Sequence, residues 1–338
     1  TSVIVGSDGM SALKTHYTAR SISPLVIDLL TTEDMDRLPE WNEESFPGIL
    51  TNVLAGRISN RFNLGGSNFT VDSACASSLT AIDIAIKELE HGNSNMVIAA
   101  GSDIAQSPFT YTAFSKTQAL SPSGKSQPFN EAADGIVISE GVAVVLLKRL
   151  EDAERDGDKI YCVVKGAASS SDGKGLGITA PRSEGQEKAL HRAYRKAGYS
   201  PSSIGSYEAH GTGTIVGDKV ELRSINNVLV NSFTAADSCA IGSVKSLIGH
   251  TKTSAGIVGL IKSALSLRYQ TLAPHPMNGN PIDLLADNKS PVYLLKNARP
   301  WFKNPSHPRR VGISAFGFGG TNTHVTIEEY TNTVKEQT

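Results

Sequence analysis

The chain has 338 residues, enough to bury a large core and better suited to two subdomains of one enzyme than to a single small fold. Its formal charge is −1 with acids and bases intermixed, so no basic face advertises nucleic acid and no polybasic run an anionic membrane. Cys75, Cys162 and Cys239 are too few and too scattered for a disulfide framework, and neither a signal peptide nor an apolar stretch of bilayer length is present, so the expectation is a cytoplasmic protein.

In chain order, Val3-Ile4-Val5 before Gly6 forms an opening apolar run. Residues 69–72 read as a short strand, and Leu79, Ile82, Ile86 and Leu89 recur at helical spacing until His91-Gly92-Asn93 ends the helix. Residues 96–100 read as the next buried strand, so Cys75 lies at a turn in a strand, turn, helix, strand unit. Residues 142–147 predict another buried strand, and residues 160–166 are strand-like. Ser183 with Gln186 makes a capping box for a helix through Tyr194 to Ala197. Residues 206–209 predict a short strand that delivers His210 into a glycine-rich turn. Residues 239–244 predict a strand, and residues 253–267 a helix whose Ser254, Ala255, Gly256 and Gly259 allow close packing. Thr323, Val325 and Ile327 share one face of an alternating strand, after which the chain turns polar. The alternation argues for an α/β protein with largely parallel sheets covered by helices. No internal repeat is visible.

Three segments carry chemistry: VDSACASSLTA (residues 71–81), EAHGTGT (208–214) and GSVKSLIGHT (242–251). A lone thiol is usually core filling and a lone histidine a structural residue; the combination reverses that weighting. At a strand-to-helix turn, unpaired N–H groups and the helix dipole are expected to lower the Cys75 pKa and supply a nucleophile, and its own N–H can point at an acyl oxygen. His210 and His250 lie beside glycines that let backbone approach a ligand. As metal ligands they would want a third partner, and no HExxH or clustered Cys/His spacing accompanies them, so no metal is expected. As a pair of N–H donors they would converge on a thioester carbonyl. Thr212 and Thr214 are candidate hydrogen-bonding groups for a ligand, and Glu221, three residues after Asp218, is a candidate partner for a buried basic group.

These segments, with PFNEAADGIVISEGVAVVLLKRL (128–150) and SAFGFGGTN (314–322), resemble the β-ketoacyl synthases, the condensing enzymes of fatty-acid and polyketide assembly, over nearly the whole chain. The resemblance implies a thiolase-like αβαβα layered sandwich of two similar halves: residues 1–155 with Cys75, residues 156–330 with His210, Lys245 and His250, and residues 331–338 as a polar tail or linker. It also implies a further N-terminal stretch, with the first strand of the core sheet, ahead of TSVIVGSDGM. It implies that Lys245 holds the histidine arrangement. Phe318 is the expected gate, whose N–H joins that of Cys75 as an oxyanion hole, while Phe316, Gly317 and Gly319 border the substrate and Thr212 and Thr214 hydrogen-bond the amides of its phosphopantetheine arm. The implied reaction is decarboxylative Claisen condensation of an acyl-Cys75 enzyme with a malonyl-type extender. Its substrates ride on the phosphopantetheine of an acyl carrier protein, with no bound cofactor and a homodimer that other megasynthase domains can accompany. Two alternatives are a silent thiolase-fold partner or chain-length factor, which normally lacks the nucleophile, and a cysteine-dependent acyl hydrolase, which would need water at the acyl-enzyme. Asn130 stands where many relatives carry Asp, and Lys219 where many carry Pro. Residues 38–66 and 107–129 look nearest to iterative type I synthases of polyketides or polyunsaturated lipids.

Overall fold

A computed structural model describes residues 1–9, 11–26, 31–175, 177–286 and 289–331. Its strands in chain order are β1 (Ser2–Gly6), β2 (Asn68–Val71), β3 (Met96–Asp103), β4 (Gly141–Lys148), β5 (Val163–Ser171), β6 (Ser206–Glu208), β7 (Cys239–Gly242), β8 (Thr271–Leu272), β9 (Val292–Leu294), β10 (Arg299–Pro300), β11 (Arg310–Gly317) and β12 (Thr321–Glu328). The first sheet runs β2-β1-β3-β4 and the second β5-β12-β11-β6-β7-β9, with β8 and β10 as a separate pair. In the first, β1 is parallel to β2 and β3 while β4 is antiparallel to β3; in the second, β6 is parallel to β7 and β11 while β12 is antiparallel to β11. The order β2-β1-β3-β4 therefore repeats as β7-β6-β11-β12. These are the two similar halves that the resemblance implied, without a repeat in the sequence.

Three apolar clusters stack the layers. The helices Ser77–Glu90 and Ala255–Arg268 lie between the sheets, where Leu79, Ile82, Ile257 and Leu260 meet Ile4, Val97, Ile313 and Val325 in one core. Outside the first sheet, Ala55 of the helix Val53–Arg61 packs on Val3 and Val5. Outside the second, Leu190 and Tyr194 of the helix Ser183–Ala197 and Leu222 and Ile225 of the helix Ile215–Val230 pack on Tyr207 and Ile241. The result is five layers, αβαβα. Helices bury one stripe and sheets both faces, and this arrangement satisfies both.

Three local expectations need correction. Residues 142–147 form β4, but one face is only half-buried and the other is open: Val142 is 66%, Val144 48% and Leu146 63% exposed. The strand ends its sheet, paired among the described residues to β3 alone, and the Val53–Arg61 helix covers β1 and β2 instead. Conversely, β12 is buried on both faces despite its alternating sequence, because β5 and β11 flank it and helices cover it. Ser183 is the first helical residue rather than a cap; its Oγ meets Glu187 Oε1 at 2.8 Å and Ser224 Oγ at 2.9 Å, while Gln186 accepts from Ser224. Of the expected polar tail, residues 332–338 lie outside the described residues.

Candidate active site

The repeated topology explains where the site falls. The strands β2 and β7 occupy matching places, and each leads through an irregular turn into a central helix. The β2 turn carries Cys75 and the β7 turn carries Lys245 and His250.

Cys75 occupies a short 3-10 turn, Ala74–Ala76, ahead of the Ser77–Glu90 helix. Ala74 adopts a left-handed φ of 51°, and its N–H donates to Asp72 Oδ1 at 2.9 Å; Ser77 Oγ donates to the Ala74 carbonyl at 2.6 Å. This small hydrogen-bonded knot turns the chain sharply from strand to helix. Gly317, at the end of β11, lies against it so closely that a methyl group there would fall 2.1 Å from the Ser73 carbonyl oxygen. The Phe318 N–H reaches the Cys75 sulfur as a hydrogen bond. The Phe318 side chain is 50% exposed, whereas Phe316 is buried with its ring 5.4 Å from that of His210. Gly319 and Gly320 turn the chain on into β12 at φ 109° and 83°.

The expected low thiol pKa is not found. Burial pushes the Cys75 thiol up to about 11, more than Lys245 and the Phe318 N–H bring it down. Desolvation of a thiolate outweighs one helix end here. Burial likewise pushes Cys162 up to about 12 and raises Cys239, and all three cysteines are free.

His210 follows β6 and His250 follows β7, and their rings meet edge-on, 5.6 Å between centroids. Both imidazoles are held well below their ordinary pKa, by burial first and then by the Lys245 charge, so each is neutral at pH 7. The backbone of His250 is clamped between its own N–H to Val137 (2.7 Å) and its carbonyl to the Ser139 N–H (3.0 Å), beside Gly249 at φ 75°. Its Nδ1 accepts the Lys252 N–H at 3.0 Å, which leaves the ring proton on Nε2. The His210 Nδ1 is buried without a hydrogen-bond partner among the described residues.

Acids hold the loop from beneath. Glu221 accepts the N–H groups of His210 (2.7 Å) and Gly211 (2.8 Å), and Asp218 accepts those of Thr212 (3.1 Å), Gly213 (3.2 Å) and Phe129 (2.7 Å). Glu221, the candidate partner of a buried base, lies within electrostatic reach of the buried Lys245. Its hydrogen bonds are to backbone N–H groups, and its interaction with Lys245 is through charge. Burial lifts Asp218 to about 6 and Glu221 to about 7. Lys245 is buried, and burial lowers its pKa against the opposing pull of Glu208 and Glu221. Thr212 and Thr214 join Oγ to Oγ at 3.0 Å. Asn130, the departure from Asp, uses its amide as a donor to the Asn278 carbonyl, a bond an Asp carboxylate could not donate; Lys219 is exposed on the Ile215–Val230 helix.

Sequence reasoning passed over Glu208, Asp103 and Lys252. Glu208 accepts the Val244 N–H at 2.6 Å and pairs with Lys262 at 2.6 Å, tying the β6 end to the start of the Lys245 turn. An acid at the end of an apolar strand, just before His210, was the available signal. Asp103 and Lys252 form a buried ion pair at 2.8 Å, and nothing in GHTKTS distinguishes that lysine from a solvated one.

A cysteine on a strand-to-helix turn, two neutral edge-on histidines and a buried lysine are shared between two copies of one α/β motif, the arrangement of a thiolase-like fold. The chain belongs to the β-ketoacyl synthase family: its N-terminal domain model matches residues 9–153 and its C-terminal domain model residues 161–278. It is similar to a subunit of the polyunsaturated fatty acid synthase of Thraustochytrium sp., 46% identical over 301 residues that make up 86% of this chain and 10% of that protein. It is also 39% identical over 302 residues to a subunit of the phenolphthiocerol/phthiocerol polyketide synthase of Mycobacterium tuberculosis, covering 89% of this chain and 16% of that one. Among solved structures it resembles the module 6 ketosynthase of the Bacillus subtilis bacillaene synthase (TM-score 0.82, 37% identity, 87% of this chain and 53% of that one). An oxazolomycin ketosynthase domain from Streptomyces albus gives a TM-score of 0.85 at 31% identity, covering 98% of this chain and 55% of that one. The chain thus spans a small fraction of the curated relatives and about half of each solved chain.

Proposed function

We propose that this chain is a ketosynthase that joins an acyl group to a malonyl-type extender by decarboxylative Claisen condensation, with residues 1–155 supplying the nucleophile and residues 156–330 the histidines. The observation that carries this reading is the meeting of three distant segments: the Phe318 N–H on the Cys75 sulfur and the His210 and His250 rings 5.6 Å apart.

In the first half-reaction the Cys75 sulfur attacks the thioester of an acyl carrier protein, the carrier thiol leaves with the cysteine proton, and the N–H groups of Cys75 and Phe318 hold the carbonyl oxygen. In the second, the malonyl thioester loses carbon dioxide. The Nε2–H of His250 and an N–H of His210 stabilise the enolate oxygen, and the carbanion attacks the acyl carbonyl. The Cys75 thiolate departs and takes up a proton, and the β-ketoacyl thioester stays on the carrier. Lys245 and Glu221 hold the histidines, and Phe318 gates entry. Thr212, Thr214, Phe316, Gly317 and Gly319 border the pantetheine arm. Carrier-borne substrates, a homodimer and a place within a larger synthase fit the relatives, which are components of polyketide and polyunsaturated fatty acid synthases.

Intact-mass measurement after incubation with acyl and malonyl carriers tests the reading. Stable acylation of Cys75 followed by a β-ketoacyl carrier is the expected result. Absence of acylation would instead identify a silent partner, and acylation followed by free acid a hydrolase.

A further inference from the structure

The Asp103–Lys252 pair lies beside this site, yet among the described residues neither side chain hydrogen-bonds to a group assigned to the reaction. Asp103 ends β3 in the first half; Lys252 follows His250 in the second. Both are buried, the carboxylate fully and the lysine side chain with 4% exposed. Lys252 Nζ meets Asp103 Oδ1 at 2.8 Å and donates to the Ser139 carbonyl at 3.3 Å, while Asp103 Oδ1 also accepts the Ala105 N–H at 3.1 Å and Oδ2 has no partner among the described residues. A lysine has little reason to be here for its own sake, because burying a charge is unfavourable unless it is paired. Its backbone is unusual as well, with a left-handed φ of 49° that disfavours any residue with a Cβ. In that conformation its N–H points at His250 Nδ1, 3.0 Å away.

We propose that Asp103 and Lys252 are positioning residues for His250: the ion pair anchors Lys252 in the left-handed conformation that keeps its N–H on Nδ1, so that the ring presents its single proton on Nε2. The anchor reaches across the two halves. The same Ser139 whose carbonyl accepts from Lys252 Nζ donates its N–H to the His250 carbonyl, so the lysine and the histidine backbone share one support. A neutral imidazole whose Nδ1 is released can exchange tautomers, and in the other tautomer Nε2 is an acceptor that would repel an enolate oxygen.

The inference rests on the proposed role of His250 for its kinetic consequence but not for its structural one, and the test separates the two. Lys252→Met and Asp103→Asn are compared with wild type by 15N spectra of the histidine rings, by decarboxylation of a malonyl carrier and by acyl loading of Cys75. The expected result is a mixed His250 tautomer in both variants, with decarboxylation kcat lowered about tenfold or more and KM for the carrier little changed. Lys252→Gly in the Asp103→Asn background should recover the native tautomer and part of the rate, since glycine adopts positive φ without an anchor. Lys252→Arg, which retains the pair, should stay near wild type. An unchanged Nε2–H tautomer in folded Lys252→Met would overturn the inference whatever its activity. No recovery by Lys252→Gly relative to Lys252→Met would overturn it too. A shifted tautomer with undiminished decarboxylation would uphold the positioning and remove His250 from the reaction.

Discussion

At Cys75, burial and reactivity pull in opposite directions. A thiol pushed up to about 11 is ionised in only about one molecule in 10⁴ at pH 7. Loading should therefore accelerate with pH, close to tenfold per unit between pH 6 and 9, as followed by intact mass in a quench series. A flat profile would show that the thiolate is already formed and that the helix end dominates. Lys245 is the largest opposing influence on the sulfur, so Lys245→Met should slow loading by about tenfold and move that profile to higher pH. Cys75→Ala should abolish loading. Cys162→Ala and Cys239→Ala should load normally, because neither thiol has a reactive neighbour and burial raises the pKa of each. His250→Ala should still load while losing decarboxylation by about 10² to 10³, the usual effect of removing one donor to a developing oxyanion. A variant that folds but cannot load would make the histidine the acceptor of the thiol proton.

The turns around the site are specified by a few short-range devices. Asp218 and Glu221 stand three residues apart on the first turns of the Ile215–Val230 helix, one face of which thereby receives five backbone N–H groups of the His210 loop and Phe129. Charge-assisted bonds of this kind contribute about 1.5–3 kcal/mol each, so Asp218→Asn should lower stability by roughly 2 kcal/mol in urea titration and also impair decarboxylation. Gly317→Ala should block loading outright, since the added methyl would displace the Ser73 carbonyl and with it the Cys75 turn.

Such devices also explain what can be read in advance. The Ser77–Glu90 helix and β3 are legible because apolar spacing alone decides them, and Cys75, His210 and His250 because their glycine and small-residue surroundings mark close backbone approach. Burial of β4 and β12 is not legible, because the apolar pattern describes a strand's own residues, whereas exposure depends on which helix lies over it. The pKa of Cys75 escapes sequence for a related reason: the helix end is local in the chain, but the desolvation comes from the whole fold. Lys252 and Asp103, on different halves, meet only through the pairing of those halves.

At the scale of the molecule, buried histidines set the response to acid. Burial holds His275 down to about 4 and His324 to about 3. Unfolded imidazoles take up protons near pH 6.5, which the native rings refuse until those lower values, so the unfolded state binds more protons and stability falls as pH drops from about 6.5 towards 4. Each group contributes at most ~1.4 kcal/mol per pH unit. Asp218, raised to about 6, and Glu221, raised to about 7, act in the other direction between their ordinary range and those values and offset part of the loss, while His210 and His250, also held well below 6.5, add to it. A melting temperature lower at pH 5 than at pH 6.5 is the expected outcome, and a rise would show that the carboxylates outweigh the histidines.

The bare face of β4 has a consequence for handling rather than for catalysis. In a preparation of residues 1–338 alone, Val142, Val144 and Leu146 line the strand that ends its sheet among the described residues, so two such chains that meet there can extend each other's sheet. Assemblies of this kind grow by templating: turbidity should follow a lag, respond to seeding and steepen with protein concentration, while dilute protein stays clear. Val144→Lys should lengthen the lag and leave Cys75 loading untouched, because the residue points away from the central helices and the site they carry.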